Sequence, residues 1–155
     1  MGPVKLSVRA LVEFVLRCGD IDARAQAGGY DRANEGARIH RRLQKAAGKD
    51  YKAEVSFKAV RVVDGIEYRL EGRADGIMET PTGYIVDEIK TTDAPAERLT
   101  EDYNPLHWAQ AKCYAAFLCK EKKLNGVTVQ LTYYQVDTEE IVRHRRLFGA
   151  LELEN

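Results

Sequence analysis

Two carboxylates and an ammonium gather in one short stretch, residues 72–92: Asp75, then Glu88 and Lys90 with a single residue between them. The stretch reads as two strands reversed at residues 78–83, where Pro81 and Gly83 punctuate the turn. Side chains alternate along a strand, so Val86, Glu88 and Lys90 share one face while Ile85, Asp87 and Ile89 take the other. Asp75, on the neighbouring strand, can reach the Glu88 face. Charges set in an otherwise apolar strand are costly unless something compensates them. A hard divalent cation does so, since it prefers carboxylate oxygen, carbonyl oxygen and water. Two plainer readings compete: an Asp75-Gly76 turn, and a Glu88–Lys90 surface ion pair worth only ~0–1 kcal/mol.

Other elements must position these groups. Residues 6–18 place Val8, Leu11, Val12, Val15 and Leu16 at helical spacing, with Ser7 as N-cap. A second helix is expected over about 31–47, stopped by Gly48, with Gly36, His40, Leu43 and Ala47 on one face. His40 therefore points with the apolar stripe. Residues 51–63 and 66–71 alternate about Asp64-Gly65, a strong hairpin turn. After a polar loop at 91–104, Pro105 opens a helix from 106 to about 123 with Trp108, Ala111, Ala115 and Leu118 as its core stripe. Gln110, Tyr114 and Phe117 form a second stripe, and Gln110 and Tyr114 lie one turn apart. Asn125-Gly126 is expected to end that helix. Residues 127–136 read as a strand and 138–148 as a final short helix. The predicted order is α-α-β-β-β-α-β-α, a mixed α/β (α+β) fold with a central sheet flanked by helices.

The chain of 155 residues suits one domain, 1–155, and is too short for two, although it can also be a fragment of a longer protein. No apolar run approaches the ~20 residues of a membrane span, and Arg9 and Glu13 break the N-terminal apolar stretch, so a cytoplasmic protein with no membrane partner is expected. Formal net charge is zero, so bulk electrostatics neither announces nor excludes nucleic acid. Basic clusters occur at Arg38, Arg41, Arg42 and Lys45 and at Arg143, Arg145 and Arg146; such runs are most often solvated faces. Cys18, Cys113 and Cys119 are odd in number and form no Cys-x-x-Cys pair, which argues for reduced thiols.

Four short patterns fall in one order. Gly36 and His40 form Gly-x-x-x-His, Gly72 and Asp75 form Gly-x-x-Asp, Glu88-Ile89-Lys90 forms Asp/Glu-x-Lys followed by two threonines, and Gln110 and Tyr114 form Gln-x-x-x-Tyr. Together they resemble the PD-(D/E)XK nuclease superfamily, in its RecB-like branch of CRISPR-associated and helicase-associated exonucleases. The resemblance spans residues 36–114 and implies a restriction-endonuclease-like core. It implies that Asp75, Glu88, His40 and the main-chain carbonyl of Ile89 hold Mg²⁺ or Mn²⁺, an imidazole ligand favouring Mn²⁺ somewhat. Lys90 would orient or help deprotonate the attacking water, or stabilise charge on the phosphate. Gln110 and Tyr114 would contact DNA as a donor amide and a stacking phenol. Some relatives in that branch carry an iron–sulfur cluster; the cysteines here make an incomplete set, so none is expected. Glu54 is an outer-shell candidate, and Asp87, facing away from Glu88, is read as a loop or helix partner.

The function so implied is a metal-dependent deoxyribonuclease, an exonuclease on single-stranded or end-exposed DNA, working beside a helicase domain or subunit in repair or recombination. Two rivals remain: a non-cleaving nucleic-acid-binding module on the same fold, and a structural α/β domain with no nucleic-acid role.

Overall fold

The computed structural model describes residues 3–7 and 30–153. Along them run β1 (Val4–Ser7), α1 (Tyr30–Ala46), β2 (Tyr51–Val63), β3 (Ile66–Thr80), β4 (Gly83–Thr92), a 3₁₀ turn (Ala96–Arg98), α2 (Pro105–Lys122), β5 (Gly126–Gln135), β6 (Ile141–Gly149) and the short α3 (Ala150–Leu153). The six described strands form one mixed sheet in the order β1-β3-β4-β5-β6, with β2 also paired to β3. The mixed sheet flanked by helices is the expected architecture. No described helix is long and apolar enough to cross a membrane.

The Asp64-Gly65 turn joins β2 to β3 with φ of 51° and 77°, the two positive values a tight hairpin turn of this hand requires. β3 continues unbroken through Gly72 and Asp75 to Thr80, so Asp75-Gly76 is strand and not turn. Helix α2 begins at Pro105, with the Asn104 side chain accepting from the Leu106 N–H at 3.0 Å. It connects the parallel strands β4 and β5 and lays Trp108, Ala111, Tyr114, Ala115 and Leu118 against Val86, Val127, Val129, Leu131 and Tyr133.

Four expectations are corrected. Residues 138–148 are not a helix: β6 pairs antiparallel with β5, and its residues alternate exposed and covered from Ile141 to Phe148. That period of two sits within a basic run that masks it. Leu6 and Ser7 belong to β1, which pairs parallel with β3, so the first helix does not begin at residue 6; the remainder of that expected helix, and Cys18, lie outside the described residues. Helix α2 ends at a left-handed Lys123 and not at Asn125-Gly126. Gly126 instead opens β5, where an added Cβ would stand 2.8 Å from the Phe148 carbonyl. Among the described side chains of α1, Ile39 and Gln44 are the buried ones, while Ala47 is exposed beyond the helix end.

Candidate active site

The β3–β4 ladder runs from Thr80↔Gly83 to Gly76↔Asp87 and stops there. Past that point the two strands part, and the Asp75 side chain spans the fork: its Oδ2 accepts the Ile89 N–H at 2.7 Å. A carboxylate thus takes the place of a ladder carbonyl and leaves its other oxygen facing the gap. His40 reaches it from α1, Nδ1 lying 3.5 Å from Asp75 Oδ1. The packing of α1 that permits this is close, since a Cβ on Gly36 would meet Thr91 Oγ1 at 3.4 Å.

Glu88 projects into the same fork. It is 4% exposed, and its Oε2 has no hydrogen-bond partner among the described residues. Its Oε1 stands 3.4 Å from Lys90 Nζ, and Lys90 donates to Gln110 Oε1 at 3.0 Å. Burial raises the Glu88 carboxyl to about 8; Lys90 opposes that rise and the neighbouring Asp75 adds to it. Burial also works against ionisation of Asp75, but His40, the Ile89 N–H and Lys90 outweigh it and hold that carboxyl below its ordinary value. Two acids with opposed proton affinities therefore share one site.

His40, Asp75, Glu88, Lys90 and Gln110 are brought into one continuous cluster, with Ile89 in the backbone between the two charged β4 side chains. Among the described residues no three His, Cys, Asp or Glu side chains stand close enough together to hold a metal ion as they lie. The donors nonetheless fit a hard cation: an imidazole, two carboxylates, and a buried carboxylate oxygen with no partner.

Tyr114 differs from expectation. It is 3% exposed, with its ring stacked on Phe57 at 6.3 Å, and only its hydroxyl meets Gln110 Nε2, at 3.5 Å. The ring belongs to the core and does not stack on a base. Asp87 is also corrected, because its partners lie on strands: Tyr51 donates at 2.7 Å, Thr132 at 2.6 Å and Gln130 at 3.0 Å. Glu54 pairs with Arg73 at 2.9 Å and, among the described residues, joins the site through Gln44.

Three residues near the fork are not among the candidate site residues of the sequence. Gln44 donates to the Asp75 carbonyl at 2.8 Å; its signal was the four-residue spacing from His40 on one helix face. Tyr51 anchors Asp87 on the opposite side of β4. Gly76 admits that phenol, since a Cβ there would fall 1.9 Å from the Tyr51 ring.

A mixed sheet whose parted strands present Asp, then Glu-x-Lys, between two helices defines a restriction-endonuclease-like protein. The sequence pattern of the PD-(D/E)XK nuclease superfamily matches residues 8–154, and the chain belongs to that superfamily of hydrolytic nucleases, which act on nucleic acid and generally use divalent metals. A solved structure described as the crystal structure of SSO0001 is similar in fold, with a TM-score of 0.64 and 20% identity over 94% of this chain and 67% of that one. No curated protein matches the chain.

Proposed function

We propose that this chain, acting as a single domain of the RecB-like branch, is a DNA nuclease, an exonuclease on single-stranded or end-exposed DNA that works in the cytoplasm beside a helicase in repair or recombination. The observation that carries the reading is the buried, partnerless Glu88 Oε2 in a fork shared with Asp75, His40 and Lys90. Glu88, Asp75, His40 and the Ile89 carbonyl would hold Mg²⁺ or Mn²⁺, which when bound would activate water and relieve charge on the phosphate.

The remaining work falls to the chain's own side chains. Lys90 has three N–H donors; Gln110 takes one and Glu88 another, which leaves the third for a water or a phosphate oxygen. Gln110, its carbonyl committed to Lys90, has amide N–H to offer the DNA backbone. The Tyr114 hydroxyl steadies that amide from inside the core. Gln44 fixes the main chain at Asp75, and the Ile89 N–H fixes its carboxylate.

The test is cleavage of end-labelled single-stranded DNA with Mg²⁺ or Mn²⁺, with Lys90→Ala as control. Metal-dependent cutting by the parent and its loss in the variant are expected. Retention of DNA without cleavage in any divalent metal would favour the non-cleaving module.

A further inference from the structure

With the Tyr114 ring withdrawn into the core, the exposed aromatic among the described residues at the start of α2 is Tyr103, 37% exposed, directly before the Asn104 cap. Its ring is not adrift. It meets Tyr133 edge-on at 5.6 Å and His107 at 6.3 Å, while His107 Nδ1 and the Tyr133 hydroxyl stand 2.9 Å apart. Tyr133 pairs with Lys90 across the parallel β4–β5 ladder. His107 precedes Gln110 by three residues and so lies on the same side of α2. The ring cluster therefore abuts the Lys90–Gln110 link. Because α2 returns from β4 to β5, its first turn overlies the carboxyl ends of both strands, the side on which open α/β sheets bind their ligands.

The segment carrying Tyr103 is tied down along its length. Leu99 is 2% exposed, and its carbonyl lies 2.7 Å from His144 Nε2. The Glu101 carbonyl accepts from Trp108 Nε1 at 2.7 Å, and the Glu101 and Asp102 carboxylates face Arg146 at 3.7 and 4.0 Å. The Tyr103 N–H closes a turn on Thr100 at 3.1 Å. A loop this constrained presents its aromatic face without further ordering, which is what makes a stacking contact strong. The acids beside it disfavour a phosphate at this spot and leave the ring for a base.

We propose that Tyr103 is a stacking platform for an unpaired base of the nucleic-acid substrate, held about two turns of α2 from Gln110. This rests on the nuclease reading of the adjoining site and makes single-stranded nucleic acid the preferred ligand.

Binding is measured in EDTA, where no strand is cut. The probes are an end-labelled oligothymidylate of about ten nucleotides and an abasic strand of equal length and charge. Anisotropy gives affinity; emission of Trp108, the one tryptophan in the chain and a tether of this loop, reports the site. The parent is expected to prefer the base-bearing strand and to change its Trp108 emission only with that strand. Tyr103→Ala should lose about tenfold on the thymidylate and nothing on the abasic strand. Tyr103→Leu, which keeps apolar cover over Tyr133, should lose as much, and Tyr103→Phe less than about twofold. No preference in the parent, full binding by Tyr103→Leu, or equal losses on both strands would overturn the platform. The two readings fail separately: base-dependent binding through Tyr103 without metal-dependent cutting removes the nuclease and keeps the platform. Cutting with unchanged binding in Tyr103→Ala does the reverse.

Discussion

Replacing Glu88 with Gln should stabilise the metal-free protein while weakening its response to metal. The side chain is buried, one of its oxygens has no partner, and its carboxyl is raised from 4.5 to about 8. As pH rises through that window the unfolded chain gives up the Glu88 proton while the fold retains it. Stability therefore falls with pH from about 4.5 to about 8 and levels off above, since the folded state binds more protons there. Each pH unit of the window is worth about 1.4 kcal/mol, so Glu88 opposes folding at pH 9 by at most roughly 5 kcal/mol. A neutral amide of nearly the same shape has no such slope. Parent and variant should melt together near pH 5, and the variant should lead by up to the order of 10 °C at pH 9 in EDTA. Adding Mg²⁺ or Mn²⁺ at about a hundred times the parent's Kd should restore about 2.7 kcal/mol to the parent and, with affinity weakened about tenfold or more, at most about 1.4 kcal/mol to Glu88→Gln. Thermal melts followed by circular dichroism at the two pH values, with and without metal, give all four numbers. A variant that melts below the parent at pH 9, or gains as much from metal, refutes the view of Glu88 as a ligand kept at a cost to the fold.

Gly76→Ala should destabilise by about 3 kcal/mol or more, because the new methyl displaces the Tyr51 ring and breaks its bond to the buried Asp87; urea unfolding measures it, and Gly76→Ala combined with Tyr51→Ala should lose less than the sum of the single changes. Tyr51→Phe keeps the ring and removes only the hydroxyl, and should cost about 1.5–3 kcal/mol for a hydrogen bond to a charged group. Gln110→Ala, by releasing Lys90 from its tether, should lower kcat for metal-dependent DNA cleavage about 10- to 100-fold with a melting temperature within about 2 °C of the parent; an unchanged kcat would remove Gln110 from the account of Lys90.

The hairpin, the Asp75 and Glu88–Lys90 strands and α2 could be read from the chain because each carries a local signal. The Asp64-Gly65 turn, the alternation of the strands and the Pro105 start all act within a few residues. β6 could not be read so easily, because Arg143, Arg145 and Arg146 pattern like a solvated helix face until β5 supplies an edge for them to pair with. Tyr114 was half legible: its spacing from Gln110 gave the right helix face, but only the packing of Phe57 decides that its ring turns inward. Gln44, Tyr51 and Gly76 act across 31, 36 and 11 residues of sequence, on Asp75, Asp87 and Asp87 respectively, through partners that no local pattern announces. The fork itself is the least legible feature, since it arises where a ladder stops and not where any residue type changes.

The central claim is that Asp75, Glu88 and His40 converge on one cation. Titration of metal-free protein with Mn²⁺, followed by the loss of the free-ion paramagnetic resonance signal, tests it without reference to catalysis. The account predicts a saturable site in the parent that is weakened by an order of magnitude or more in Asp75→Asn, Glu88→Gln and His40→Ala alike. Uptake of Mn²⁺ that none of the three substitutions diminishes would contradict it.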